Sequence, residues 1–184
     1  KKENGSNIIK NANAANLAVK LLKLEEHHAP TASASMLELG VNVLESHLGN
    51  PLVGRQDDID RMVQILSRKS KNNILLLGDP GVGKTALVYG LAKRIAEGRV
   101  PDVLKGKQII ELSIASLVAG TMYRGQFEER MRAWIEAVKA SEDTIVFIDE
   151  FHNLLGVGAT GEKSLDAIGI LKPHLTMGTI QLIG

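Results

Sequence analysis

Apolar residues from about position 37 onward follow two patterns, one with the spacing of a helix face and one of short unbroken runs. The helical pattern predicts three helices, one starting at Asp57, one near Gly83 and one with Phe127, Met131, Trp134, Ile135 and Val138 on one face. The unbroken runs predict four buried strands, at 73–78, 108–114, 144–149 and 179–184. Because helices separate these strands, we expect an α/β fold with a parallel sheet covered by helices on both faces.

Residues 1–36 have a different pattern from the rest of the chain. Apolar positions recur near helical spacing between Ile8 and Leu22, which predicts one amphipathic helix there. The stretch APTASAS at 29–35 is typical of a linker. The sequence therefore predicts an N-terminal helix with its linker over 1–36 and a main domain over 37–184. We expect a docking or interdomain helix whose partner lies outside the main domain, since its basic face is too thin for membrane binding.

Charge and composition narrow the classes of partner. The 184 residues carry 22 basic and 21 acidic side chains, and this even balance argues against nucleic acid or an anionic membrane as the main partner. The absence of cysteine excludes disulfides and thiolate metal sites. No apolar run approaches the ~18 residues of a membrane span, and the start has no signal-peptide core. Because the chain starts without methionine and stops inside the last predicted strand, we expect a piece of a longer protein.

The clearest chemical motif is GDPGVGKT at 78–85, which fits the pattern G-x-x-x-x-G-K-[ST] between a predicted strand and a predicted helix. Gly81 and Gly83 permit a backbone that turns successive amides toward one point, where the helix N-terminus adds partial positive charge. Lys84 can then reach the outer phosphates of a nucleotide, and the Thr85 hydroxyl can bind Mg²⁺. A tight turn with an incidental lysine is the alternative. The predicted nucleotide contacts in this loop are Asp79, Pro80, Gly81, Val82, Gly83, Lys84, Thr85 and Ala86.

A pair of acids, Asp149 and Glu150, follows the apolar run that ends at Ile148. The carboxyl end of a parallel strand lies at the sheet edge where ligands bind. We predict that Asp149 holds Mg²⁺ and that Glu150 orients and deprotonates an attacking water, with Lys84 as the third catalytic residue. The alternative is a helix N-terminus with favourably placed acids. The glycine-rich motif upstream favours the catalytic interpretation.

Residues 37–184 resemble the first ATPase module of the Clp family of AAA+ unfoldases and disaggregases (the ClpA, ClpB and ClpC group). The stretches that carry the resemblance are NPLVGR (50–55), GDPGVGKTALV (78–88), AGTMYRGQFEER (119–130), FIDEFHNLLGVG (147–158) and LKPHL (171–175). The third is the most discriminating, because generic P-loop ATPases lack it. The resemblance implies a three-layer P-loop AAA+ fold whose last strand lies beyond this chain. It also implies that Leu52, Val53 and Gly54 contact adenine, with ATP or ADP and Mg²⁺ as cofactors.

The segment around Tyr123 carries apolar side chains on a predicted loop. Met122 and Tyr123 lie between glycines, which indicates apolar surface held out on a flexible stalk; the alternative is that Tyr123 folds back onto its own helix. The resemblance implies an aromatic paddle, Tyr123 with Met122 and Arg124, that grips extended polypeptide in the central pore of a hexamer. A second glycine-rich loop, 156–161, is either a second pore loop or a flexible connection.

Taken together, the resemblance implies an ATP-hydrolysing module of a hexameric unfoldase or disaggregase that threads polypeptide through its pore. The implied partners are unfolded or aggregated polypeptides, identical subunits, and a peptidase or chaperone. The implied location is the bacterial cytoplasm or the interior of an organelle. Two rival functions stay open. A nucleic-acid-remodelling AAA+ ATPase is disfavoured by the even charge balance, and a nucleotide-gated assembly module with little hydrolysis is disfavoured by Lys84, Asp149 and Glu150.

The resemblance also sets three expectations for this chain by itself. It places the arginine finger beyond residue 184, so we expect the chain to bind nucleotide but to hydrolyse it slowly. It places the missing strand beside 73–78, so Ile74 to Leu77 would form an exposed apolar edge that favours self-association unless the N-terminal helix covers it. Tyr89 stands where the family usually has glutamate, which we interpret as a change on a helix surface.

Overall fold

The computed structural model describes residues 39–46, 54–156 and 167–184. The predicted N-terminal helix with its linker, and most of the second glycine-rich loop, lie outside the described residues. The strands are β1 (Gly40–Asn42), β2 (Gln108–Leu112), β3 (Thr144–Phe147) and β4 (Gln181–Ile183). The helices are α1 (Val43–Ser46), α2 (Gln56–Leu66), α3 (Lys84–Ala96), α4 (Ile114–Val118), α5 (Arg124–Ala140), α6 (Asn153–Gly156) and α7 (Ala167–Met177), with a 3₁₀ turn at Asp102–Leu104.

The strands form one mixed sheet in the order β1-β2-β3-β4. β2 pairs in parallel with β3, and β3 with β4, so that Val146 lies between Ile110 and Leu182. β1 pairs antiparallel with β2, so the predicted parallel sheet carries one antiparallel strand at its edge that the sequence did not predict. The three residues of β1 are too few to show a strand period in the sequence, and their pairing with β2 is what makes them a strand.

The run predicted as a strand at 73–78 lies beside β4 and parallel to it, but it pairs only briefly. The Ile74 amide donates to the Leu182 carbonyl at 2.8 Å, and the Gly184 amide donates to the Ile74 carbonyl at 2.9 Å. The side chain of Asn73 enters the ladder, because its Oδ1 accepts the Leu182 amide at 2.8 Å. At the start of the segment this side-chain bond takes the place of a backbone partner for the Leu182 amide, whereas further along the Leu76 amide donates to the Gly184 carbonyl at 2.7 Å. The pairing consists of these backbone bonds around a single bridge between Ile74 and Ile183.

This segment forms the edge of the described sheet. Ile74 is buried against the helices of one face, whereas Leu75 and Leu77 are 58% and 85% exposed. The predicted apolar edge is therefore present. Unpaired strand edges with apolar side chains promote association, so self-association of the chain stays a prediction with a structural basis.

Two apolar clusters, one on each face of the sheet, form the core. Alternate residues of β3 and the position after it contribute to opposite faces, since Ile145 and Phe147 join one cluster and Val146 and Ile148 the other. The first cluster also contains the buried faces of α2 and α3, and the second contains those of α5 and α7. This helix–sheet–helix arrangement confirms the predicted three-layer α/β fold.

The three helices predicted from apolar spacing are confirmed, and their predicted stripes are their buried faces. The buried residues of α2 and α3 include Ile59, Met62, Val63, Leu66, Leu87, Leu91 and Ile95. All five predicted positions of α5 are likewise buried. Each such large side chain contributes about 1.5–3 kcal/mol by leaving water. No helix among the described residues is long and apolar enough to cross a membrane.

Candidate functional site

The loop before α3 has a backbone that only glycine adopts readily. Gly81 and Gly83 have φ angles of 79° and 90°, in the left-handed region, and Gly83 is the residue that caps the start of α3. The Lys84 ammonium folds back across this loop and donates to the carbonyls of Gly78 at 2.8 Å and Asp79 at 3.0 Å. The loop thus gathers a helix N-terminus and one cation at the same point, which is the electrostatic requirement for an anion site.

Arg55 connects this loop to the start of α2. Its Nη1 donates to the Val82 carbonyl at 2.7 Å, and its Nε donates to Asp58 Oδ2 at 2.8 Å. Val82 lies between the two left-handed glycines, so the guanidinium holds the centre of the loop from outside. Sequence reasoning missed Arg55, although it is the last residue of the NPLVGR stretch and directly precedes a predicted helix.

Asp149 lies just beyond the carboxyl end of β3, within reach of the first turn of α3. The Thr85 hydroxyl donates to Asp149 Oδ2 at 3.1 Å, and the Glu150 amide donates to Asp149 Oδ1 at 2.8 Å. The fold therefore brings together two oxygen-bearing side chains that are 64 positions apart. Their roles as Mg²⁺ ligands stay a prediction.

Glu150 follows with an unusual backbone and an ordered side chain. Its φ of 50° is left-handed, which costs a residue with a side chain about 1 kcal/mol. The Asn153 amide group donates to Glu150 Oε2 at 2.8 Å, and the Asn153 backbone amide donates to the Glu150 carbonyl at 2.7 Å. Sequence reasoning missed Asn153; its position three residues after the acid, at a helix start, was the available signal.

One cavity of about 680 Å³ joins these groups. Such a volume suits a small-molecule ligand. Its walls are Leu75, Leu76, Leu77, Gly78, Pro80, Gly81, Gly83, Lys84, Thr85, Phe147, Asp149, Glu150, Phe151, His152 and Gly184. It thus combines an apolar wall with one cation and two carboxylates.

Other predicted nucleotide contacts are placed differently. Asp79, Val82 and Ala86 are not among the residues that line this cavity. Gly54 is exposed, with a φ of 80°. Leu52 and Val53 lie outside the described residues, so their predicted contact with adenine has no structural test.

The oxygen atoms at Thr85 and Asp149 suit a hard divalent cation. Mg²⁺ is usually held by one or two carboxylates together with substrate phosphates and water, rather than by a cage of protein ligands. Among the described residues there is no cluster of three or more histidine, aspartate or glutamate side chains that could hold a metal by themselves. The pair therefore fits Mg²⁺ that arrives with a phosphate ligand.

The loop between α4 and α5 presents its apolar side chains to solvent. Met122 is 83% exposed and Tyr123 is 71% exposed. This exposure favours apolar surface over the alternative left open by the sequence, that Tyr123 folds back onto α5, although its side chain takes part in the capping box at the start of that helix. Arg124 is the first residue of α5.

Tyr89 departs from its expected position on a helix surface. It is half-buried and packs against the cluster that contains the inner faces of α2 and α3. Burial raises the pKa of the Tyr89 hydroxyl, while its hydrogen bond with Ser46 acts in the opposite direction. The residue therefore packs against α1 within the domain.

A model of the ATPase family associated with various cellular activities (AAA) matches residues 74–180. The chain is 49% identical over 159 residues to ClpE, an ATP-dependent Clp protease ATP-binding subunit of Streptococcus pneumoniae, covering 84% of this chain and 21% of that protein. It is 52% identical over 136 residues to the chaperone protein ClpB of Corynebacterium diphtheriae, covering 73% of this chain and 16% of ClpB.

Solved structures show the same likeness. The S. cerevisiae Hsp104–ADP complex matches with a TM-score of 0.68 and 36% identity, covering 81% of this chain and 21% of that one. The S. cerevisiae Hsp104–casein complex in its extended conformation matches with a TM-score of 0.67 and 35% identity, covering 79% and 25%. The chain thus spans about a sixth to a quarter of the length of these proteins.

Proposed function

Because the chain belongs to the AAA family of ATPases and is similar to the Clp chaperones within it, we propose that it is the ATP-hydrolysing module of a hexameric protein unfoldase or disaggregase. In this proposal ATP binds with Mg²⁺ in the 680 Å³ cavity, and its hydrolysis drives an exposed aromatic loop that pulls on polypeptide. The observation that carries the proposal is the meeting of Lys84, Thr85, Asp149 and Glu150 at one cavity.

Lys84 and the start of α3 account for phosphate binding. The two carbonyls that now accept from Lys84 are neutral acceptors at 2.8 and 3.0 Å. A phosphate oxygen is charged and forms a stronger hydrogen bond with an ammonium group. We therefore expect Lys84 to exchange its own loop for the outer phosphates when nucleotide enters.

Thr85 and Asp149 would hold Mg²⁺, which, when bound, neutralises charge on the phosphates. Glu150 supplies the base for hydrolysis. Asn153 engages only Oε2 of its carboxylate, so the other oxygen can accept a proton from a water that attacks the terminal phosphorus. The bond from that phosphorus to the bridging oxygen breaks, and ADP and inorganic phosphate leave.

The exposed pair Met122 and Tyr123 suits contact with polypeptide. An aromatic ring packs against an extended chain of almost any sequence, and both side chains lie in solvent rather than in the core. The casein complex of the related Hsp104 supports a polypeptide as the class of substrate. The same proposal includes identical subunits in a ring and a peptidase or chaperone as partner. It also includes a location in the bacterial cytoplasm or in the interior of an organelle.

The test follows loss of fluorescence from a folded, tagged model substrate, with the ATPase rate in parallel, for the full-length protein. Tyr123→Ala is expected to keep its ATPase rate and to lose unfolding, while Tyr123→Phe, which keeps the ring, is expected to unfold the substrate. Unfolding by Tyr123→Ala at the wild-type rate would show that the loop does not grip substrate. ATP hydrolysis with no unfolding by the wild type would refute the unfoldase function itself.

A further inference from the structure

We propose that Gln126 and Arg130 are positioning residues that hold the Tyr123 loop rigid, so that movement of α5 reaches a polypeptide substrate instead of being lost in the loop. This inference rests on the proposed function, because it assumes that Met122 and Tyr123 touch the substrate. It replaces the expectation of a flexible stalk. Neither side chain touches substrate or nucleotide in this scheme; both act through the backbone of residues 117–123.

The two ends of the loop are fixed in the core. Leu117 is 0% exposed and Phe127 is 1% exposed, and both belong to the same buried cluster. Only nine residues separate these anchors, while Met122 and Tyr123 between them are largely exposed. Because both ends of this segment are fixed, it can move only if the backbone between them is not held by hydrogen bonds.

Gln126 holds the limb of the loop that enters α5. Its Oε1 accepts the amide of Met122 at 2.8 Å and the amide of Tyr123 at 3.2 Å. Amides just before a helix have no partner within the helix, so a side-chain acceptor three residues later orders the entry of the chain. The two residues that this bond orders are the two whose side chains are exposed.

Arg130 holds the opposite limb, which leaves α4. Its Nη1 donates to the carbonyl of Leu117 at 3.2 Å and also to the carbonyl of Ala119. Because Gln126 and Arg130 are four residues apart, they share one face of α5. That single helix face therefore binds both limbs of the loop.

Local contacts also order the part of the loop between these two limbs. The Thr121 hydroxyl donates to the Val118 carbonyl at 2.7 Å, and Gly120 turns the chain with a φ of 74°. α5 in turn buries Met131, Trp134 and Ile135 against the sheet. The exposed pair is thus joined to a helix that is itself packed in the core.

The first experiment measures the mobility of the loop directly. The chain contains no cysteine, so Met122→Cys gives one site for a nitroxide spin label in the 184-residue protein. We expect Gln126→Leu and Arg130→Met to sharpen the electron paramagnetic resonance spectrum of the label. Gln126→Glu keeps the acceptor oxygens and is expected to retain the wild-type spectrum. Arg132→Met, an exposed arginine of the same helix, is the matched control and is expected to have no effect.

The second experiment measures the rate of substrate unfolding by the full-length protein, which carries no spin label. Gln126→Leu and Arg130→Met are expected to lower the unfolding rate of a folded substrate about tenfold, as loss of well-placed hydrogen bonds allows. The ATPase rate without substrate is expected to stay within about twofold of the wild type, since neither residue lies at the nucleotide cavity. Gln126 is an exposed residue, so Gln126→Leu carries the test if Arg130→Met does not fold.

The outcomes separate this inference from the function on which it rests. Tyr123→Ala is included in both series. If Tyr123→Ala unfolds substrate at the wild-type rate, the proposed contact of Tyr123 with substrate is wrong, and the positioning role that depends on it is refuted as well. If Tyr123→Ala is inactive while Gln126→Leu behaves like Arg132→Met in both assays, the grip stands and the positioning role is refuted.

Discussion

Removal of the Arg55 guanidinium should weaken nucleotide binding, although Arg55 does not itself line the cavity. Arg55 donates to the Val82 carbonyl at 2.7 Å and to Asp58 at 2.8 Å, and so holds the middle of the phosphate loop between two left-handed glycines. In Arg55→Met this carbonyl loses its partner, and the loop must be ordered by the ligand itself. Part of the binding energy is then spent on ordering the loop.

The expected loss of binding free energy depends on how far the side chains of Arg55 and Asp58 are exposed to water. A hydrogen bond from a charged donor contributes about 1.5–3 kcal/mol when it is shielded from water. The side chains of Arg55 and Asp58 are 37% and 50% exposed, so water replaces part of the lost contact and about 1 kcal/mol remains. That difference corresponds to about fivefold in Kd at 25 °C.

The assay is a fluorescence titration of the 184-residue chain with a labelled ADP. Arg55→Met is expected to raise Kd about fivefold, and Arg55→Lys to fall between this variant and the wild type, because lysine keeps the charge but not the two-pronged geometry. Arg61→Met, at an exposed arginine within α2, the helix that Arg55 precedes, is the matched control. An unchanged Kd for Arg55→Met, or an equal rise for Arg61→Met, would refute the reasoning.

Three further predictions concern the site and the sheet edge. Glu150→Gln should bind ATP normally and hydrolyse it at least ~100-fold more slowly in the full-length protein, because the base is lost; equal turnover in single-cycle kinetics would exclude this role. Thr85→Val removes the hydroxyl that lies 3.1 Å from Asp149, and should raise the Mg²⁺ concentration needed for half-maximal ATPase at least several-fold; an unchanged Mg²⁺ titration would count against a ligand role. Leu75→Lys with Leu77→Lys, at side chains 58% and 85% exposed, should shift the chain toward monomer in sedimentation velocity, because charge protects a strand edge. Monodisperse wild-type monomers would mean that the edge does not associate.

Most of the fold was predictable from local pattern. The stripes of α2, α3 and α5 recur at helical spacing in helices of eleven or more residues, and their buried residues are those the spacing indicated. β1 was not predictable, because three residues carry no period and pair only through β2. The segment at 73–78 was predicted in place and direction, but the bond from the Leu182 amide to the Asn73 side chain was not, because it depends on a contact between distant parts of the chain.

The candidate site divides in the same way. The glycine-rich loop and the two acids are contiguous motifs whose residue types are required locally, by left-handed backbone at Gly81 and Gly83 or by the end of a strand. Asn153 was missed, since an asparagine at a helix start is common and only its bond to Glu150 gives it a role.

The sequence by itself therefore determined the three long helices, the central strands, the three layers and the chemical motif, since these depend on periodicity and on backbone angles set by neighbouring residues. The tertiary structure decided which distant groups meet, as with the hydroxyl of Thr85 at Asp149 and the guanidinium of Arg55 at Val82. It also decided that Tyr123 points into solvent from a loop braced by Arg130. The physical reason is that a contact between side chains far apart in the chain depends on sheet order and side-chain direction, and neither leaves a local pattern.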